Sequence, residues 1–226
     1  VDFEETFDSS GADQLISVVE ISAGRYAAIG FVAALDQDFL STSLNNYLSG
    51  EEAWYNYRVI VDIKWDGTDV TMDAFNGDSI TAGLVNGNAN YQGTAQIVYD
   101  AVDNVLYIAH VIDQWSFAGA GGYGSHDLYV AQYTVAADSI DFSWQNVYGS
   151  SDWDRVGRMG GIGIPLAVVP GEGVVTGYAS KFSDGTPTVE AAKLLASSTP
   201  WYDANGESMV VLRLADDGST SWIKTM

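Results

Sequence analysis

The sequence predicts an all-β fold made of about three four-stranded antiparallel meanders, and three observations carry that prediction. Apolar residues alternate with polar ones in short runs rather than at helical spacing. The runs come in pairs joined by tight turns of Gly, Asp, Asn and Ser. The pairs recur along the chain. The residues closing successive units, Phe7, Phe75, Tyr148 and Met226, are 68, 73 and 78 positions apart by difference of their numbers.

The elements follow in chain order. Residues 1–7 read as the last strand of a preceding unit, with FEETFDSSGADQ corresponding to FSWQNVYGSSDWDR further on. The first hairpin spans 13–33. Equivalent hairpins span 92–112 and 162–180. A small residue sits mid-way along the second strand of each, Gly30, Ala109 and Gly177, where neighbouring backbones approach closely. The second hairpin of each unit covers 58–75, 128–148 and 209–226. Its turn is Asp66-Gly67 in the first unit and Asp217-Gly218 in the third, because Gly accepts positive φ without steric cost. In the second unit the turn is the looser Ala137-Asp138-Ser139. The chain is therefore one region, 1–226, with repeats at about 8–75, 76–148 and 149–226.

Four-stranded meanders repeated around an axis make a β-propeller, which has about four to eight blades. Three units are too few to close the ring, so the sequence predicts part of a larger or oligomer-completed propeller. WQNVYGSSDWDRV followed by VVPGEGVVTGYAS resembles the bacterial β-propeller repeat of the SBBP type. FDSSGADQLISVV with GRYAAIGFV matches that pattern more loosely, and the middle copy departs furthest, at Asn76-Gly77-Asp78 and a long insertion. The resemblance implies a propeller module of secreted or surface proteins and carries no catalytic residues with it.

Composition bounds the partners. Thirty acidic against nine basic side chains give a formal charge of −21, which repels phosphate backbones and anionic headgroups, so neither nucleic acid nor membrane insertion is expected. There is no cysteine, hence neither a disulfide nor a thiolate metal site. No run of 18 apolar residues is present, and the chain begins at Val1 with no basic n-region, so any signal peptide is expected either to have been removed or to lie outside this sequence. No N-glycosylation sequon occurs. Low Lys and Arg with abundant Asp, Gly, Ser and Tyr suits an extracellular or cell-surface protein.

The long connections fall at one end of every meander, at about 34–56, 113–126 and 181–207 within units and 76–91 and 149–161 between them. Insertions confined to one face mark a binding side. These segments hold four of the seven tryptophans, and Trp54, Tyr55, Trp115, Tyr123, Trp153, Trp201 and Tyr202 are the candidate ligand-binding residues. Aromatic platforms flanked by carboxylates and amides suit sugar rings. The same rings would equally serve to pack loops onto the strands. Leu35 to Leu48 and Thr188 to Ser197 read as short helices.

Asp203, Asn205 and Glu207 place oxygen ligands at alternate positions beside Gly206, like the opening of a calcium loop. The downstream bidentate Glu of an EF-hand is missing, and an ordinary Asx turn is the competing reading. Asp152 and Asp154 form a similar acidic cluster, and calcium is the only cofactor the sequence raises. His110 falls on a strand and reads as a core residue, while His126 follows a Gly-rich loop with no phosphate-binding Lys. No nucleophile elbow is present, and no two carboxylates stand out as an acid/base pair, so no catalytic residues are assigned. Trp144 and Trp222 occupy equivalent last strands and are expected to wedge between adjacent sheets, with Val70 or Met72 in the first unit. Trp65 is expected to be partly exposed. The expected function is a non-enzymatic scaffold or recognition surface whose partners are other protein chains or further blades of the same protein. The alternative is a glycan-binding lectin or glycan-acting enzyme using the long-loop face.

Overall fold

The computed structural model describes residues 13–32, 55–74, 84–86, 95–112, 127–149, 164–181 and 207–225. They form three antiparallel sheets, each containing a four-stranded meander in sequence order. The first holds β1 (Asp13–Ser22), β2 (Arg25–Val32), β3 (Tyr55–Trp65) and β4 (Val70–Ala74), with β5 (Leu84–Asn86) beside β3. The second holds β6 (Ala95–Asp100), β7 (Val105–Ile112), β8 (Asp127–Val135) and β9 (Ile140–Tyr148). The third holds β10 (Leu166–Val169), β11 (Gly173–Lys181), β12 (Glu207–Leu214) and β13 (Thr220–Thr225). The fold is all-β, as the alternation predicts, and none of the sheets closes into a barrel. Residues 1–7 and the two expected helices lie outside the described residues.

Two expectations change. β5 lies inside the segment read as the connection 76–91. β3 is 11 residues long and β4 only five, so β4 pairs with Val61–Trp65 alone, and the polar backbone at Tyr55–Tyr57 is satisfied by β5 instead. The Asp-Gly pairs do not make two-residue turns either. Asp66 closes a four-residue turn, its Oδ1 accepting from the backbone N–H groups of Thr68 and Asp69, both at 2.8 Å. In the third sheet the turn runs from Ala215 to Ser219, held by the Ala215 N–H on the Ser219 carbonyl.

The sheets pack face to face in chain order, with the second sheet between the other two. Val105, Tyr107, Ala109 and Val111 of β7 point at the third sheet, where they meet Val174, Tyr178, Leu212 and Leu214. Leu106 and Ile108 point the other way, at Ala27, Ile29 and Ile60 of the first sheet. Burial on both faces explains why β7 reads VLYIAHVI with almost no polar interruption. Tyr107, Tyr129 and Tyr133 are the largest fully buried side chains, all in this middle sheet. His110 is completely buried, its ring centroid 4.6 Å from that of Tyr129, in agreement with its reading as a core residue.

A bulge governs how the last strand of the second sheet is used. Tyr133 pairs with Phe142 and Gln132 with Trp144, leaving Ser143 as the extra residue. Phe142 and Ile140 therefore pack toward the first sheet and Trp144 and Tyr148 toward the third, although all four have even numbers. The third sheet repeats the device: Leu214 pairs with Thr220 and Arg213 with Trp222, leaving Ser221 unpaired. The dipeptides Ser143-Trp144 and Ser221-Trp222 are its signature.

Candidate functional site

The functional groups that the fold brings together lie at the short-turn ends of the sheets. Antiparallel pairing puts the turns after β1, β3, β6, β8, β10 and β12 at one end of their sheets. At that end each sheet grips the last turn of the sheet that follows it.

At the first junction the grip is ionic. Arg25, the first residue of β2, is buried beside Asp62 of β3. Its Nε donates to Asp62 Oδ1 at 3.0 Å and a terminal nitrogen to Oδ2 at 2.8 Å. The rest of the guanidinium reaches into the second sheet and donates to the carbonyls of Ala136 (2.5 Å), Ala137 (3.0 Å) and Ser139 (3.3 Å) in the β8–β9 turn. A planar fork with five donors suits this: one edge is held by a carboxylate and the other spans a turn. The hydrogen bond to Asp62 raises the Arg25 pKa above its already high ordinary value, against the opposing effect of burial, so the charge is permanent. Lys64 Nζ lies 3.4 Å from Asp62 Oδ2 and supplies a second cation.

At the second junction the donors are neutral. The Tyr107 hydroxyl accepts from Gln132 Nε2 at 3.0 Å and donates to Asp216 Oδ1 at 2.5 Å across the junction. Trp144 Nε1 donates to the Asp216 carbonyl and Asn146 Nδ2 to the Gly218 carbonyl, both at 2.7 Å. The turn can lie this close because Gly218 has φ +80° and no side chain. A Cβ there would stand 2.8 Å from the Trp144 ring. Burial first, then the bond to Asp216, pushes the Tyr107 pKa well above its ordinary value, which keeps the hydroxyl a donor. Asp100, itself buried, accepts from the Gly171 N–H at 2.8 Å and ties the first turn of the third sheet to the second.

Among the described residues, the Asp103 carboxyl is held above its ordinary pKa, by desolvation and then by the charges of Asp216 and Asp100. Asp66 and Asp217 are held below theirs by the hydrogen bonds they accept within their own turns. Among the described residues no three His, Asp or Glu side chains converge as metal ligands. The carboxylate of Asp100 is already committed to the backbone N–H groups of Val102 and Gly171. The Ser139 and Ser219 hydroxyls donate to the carboxylates of Asp141 and Asp217, two residues away in each case. The contacts that cross the junctions hold the sheets together.

The opposite ends of the sheets carry the long connections. Trp54, Trp115, Tyr123, Trp153, Trp201, Tyr202, Asp203, Asn205, Asp152 and Asp154 all lie outside the described residues, as does His126. Tyr55 opens β3 with its backbone paired to Asn86, and Glu207 opens β12 paired to Lys181. Trp144 wedges between sheets as expected, 6.2 Å from the Tyr107 ring by centroid. Trp222 does not. It stands 38% exposed on the side of the third sheet turned away from the second, because no further sheet follows it among the described residues. Trp65 is half exposed. Arg25, Asp62, Tyr107, Gln132 and Asp216 are contributors that single-strand reading passes over. The only sequence signals for them are a charge or amide in the middle of otherwise apolar strands and the recurring Ser-Trp pair. No family model matches the chain, and no curated protein matches it.

Proposed function

We propose that the three sheets are consecutive blades of a β-propeller, and that the protein is a non-enzymatic scaffold or recognition module of an extracellular or cell-surface protein. The observation that supports this reading most is the division of labour between the two ends of the sheets. Most of the described inter-sheet polar contacts use a short-turn end, whereas the long aromatic and acidic connections attach at the opposite end. Face-to-face packing in chain order is how propeller blades stack. The resemblance to the SBBP-type repeat points the same way. The partners on this reading are proteins, with a formal charge of −21 favouring basic surfaces.

The test is binding and turnover. Wild type, Trp153→Ala and Trp201→Ala are screened on a glycan array and incubated with oligosaccharides. The scaffold reading expects no glycan signal that the two substitutions abolish, and no product. Specific binding lost in both variants would replace it with a lectin, and turnover would replace it with an enzyme. Any loop calcium shows as a melting temperature lowered by chelator.

A further inference from the structure

Two turns of this chain carry the same dipeptide, and only one of them leaves it free to react. Asp66-Gly67 lies in the turn after β3 and Asp217-Gly218 in the turn after β12, with the glycine at positive φ in both, +99° and +80°. The two carboxyls are held alike. Asp66 Oδ1 accepts from the N–H groups of Thr68 and Asp69, and Asp217 Oδ1 from the N–H and hydroxyl of Ser219. Those bonds hold both carboxyls below their ordinary pKa, so protonation does not separate the two sites.

The glycine nitrogens do separate them. The Gly218 N–H donates to the Ala215 carbonyl at 2.9 Å, and the Gly218 carbonyl accepts from Asn146 Nδ2 at 2.7 Å. In the other turn the N–H groups of Asp66, Thr68 and Asp69 are all bonded within Asp66–Asp69, while among the described residues the Gly67 N–H meets no acceptor. The contrast between the nitrogens is made inside the turns themselves, so it does not depend on what packs against either sheet.

We propose that Asp66-Gly67 is a site of spontaneous covalent modification, at which the Gly67 nitrogen attacks the Asp66 side-chain carbonyl and aspartate becomes isoaspartate, while Asp217-Gly218 resists. In the protonated carboxyl, the bond from nitrogen to Cγ forms and the bond from Cγ to Oδ2 breaks. The Oδ2 hydroxyl leaves with the amide hydrogen as water, giving a cyclic imide. The Thr68 and Asp69 N–H groups on Oδ1 are placed to stabilise the oxyanion formed on the way. Water then adds to either imide carbonyl: opening at Cγ restores aspartate, and opening at the main-chain carbonyl leaves Gly67 joined to Cγ. Glycine favours the attack because no Cβ crowds its nitrogen. At Gly218 the same attack must first break the bond to Ala215.

The experiment ages the folded 226-residue chain at neutral pH and physiological temperature, with a parallel sample in denaturant. Chymotryptic peptides are then sequenced by electron-transfer fragmentation, which distinguishes isoaspartate from aspartate. In the folded chain isoaspartate is expected to accumulate at 66 about tenfold faster than at 217, roughly the factor for one more hydrogen bond to break. In denaturant the two rates are expected to converge, because only the folded turns tell the sites apart. Asn76, Asn86 and Asn205 also precede glycine, but isoaspartate from them carries the mass gain of deamidation, and Asp184-Gly185 is read in its own peptide. Asp66→Glu is expected to stop the reaction at that turn, since attack would then have to close a six-membered ring. Equal rates at 66 and 217 in the folded chain overturn the inference, as does a difference that persists in denaturant or modification that continues next to Glu in the variant. None of these outcomes bears on the scaffold reading, which stands or falls on glycan binding and turnover.

Discussion

The two junctions of this protein do the same job with different chemistry. Between the first and second sheets a buried Arg25–Asp62 pair grips the next turn by its carbonyls, whereas between the second and third the Trp144 indole and Asn146 amide hold carbonyls and the Tyr107 phenol, backed by Gln132, holds the Asp216 carboxylate. The ionic clamp gives stronger individual bonds but makes each partner hostage to the other, because a buried charge left alone costs more than the pair gains. The clamp of neutral donors spreads its hold over Tyr107, Gln132, Trp144 and Asn146, so the loss of one leaves the others in place. The difference follows from the strands. β4 is short and runs without a bulge, while β9 is nine residues long and bulged, aiming Trp144 and Asn146 across the junction.

The sharpest way to break the comparison is Arg25→Ala. It leaves Asp62 buried beside Lys64 alone, and the expected loss is about 3 kcal/mol, at the low end for a broken buried pair because Lys64 compensates in part. For a chain of this size that lowers the melting temperature by about 6–12 °C. The double variant Arg25→Met with Asp62→Leu is expected to recover most of the loss. If the double variant is as unstable as the single one, grip on the β8–β9 turn outweighs charge burial, and the two junctions are more alike than described.

The next largest effect belongs to the second junction. Gly218→Ala forces a side chain into a positive-φ position against the Trp144 ring and should cost about 2 kcal/mol by chemical denaturation. Tyr107→Phe removes the bonds to Asp216 and Gln132 and is expected to cost about 1–2 kcal/mol. Combining Tyr107→Phe with Trp144→Phe should fall short of the sum of the singles, since both hold Asp216. Strict additivity would show two independent bonds rather than one clamp.

The smallest effects are pH-dependent and have opposite signs. Asp217 has its pKa lowered by Ser219, so its contribution is fully present above the ordinary carboxylate value and is lost as pH falls through the lowered one. Asp217→Ala should therefore lower the melting temperature slightly at neutral pH, with the gap closing in acid. Asp103 has its pKa raised, so its ionised form works against folding above that raised value and the penalty vanishes below the ordinary one. Asp103→Asn should raise the melting temperature slightly at neutral pH and change nothing in acid. Melting curves of both variants across the acid range test the pair. A gain from Asp103→Asn that persists in acid would exclude the electrostatic cause.

Much of the fold was legible in the chain. The hairpins read as 13–33 and 128–148 fold as 13–32 and 127–148, because period-two alternation and turn-forming Gly, Asp and Asn act within a few residues. The clamp was barely legible. A charged residue such as Asp62 between Val61 and Ile63 signals that something buried must pair with it, yet nothing local says that Arg25, 37 positions earlier, is the partner. The equivalence of Trp144 and Trp222 was visible from their place in the last strands, but their different surroundings were not, since only the order of the sheets decides which tryptophan meets a turn.

The sequence by itself determined the strands, the meander order and the end at which the long connections attach, all of which follow from local patterning and antiparallel geometry. The tertiary structure alone decided the rest. Strict alternation would put Phe142 and Trp144 on one face. The extra residue Ser143 sends them to different sheets, because the pairing of β9 with β8, rather than parity along the chain, sets where a side chain points.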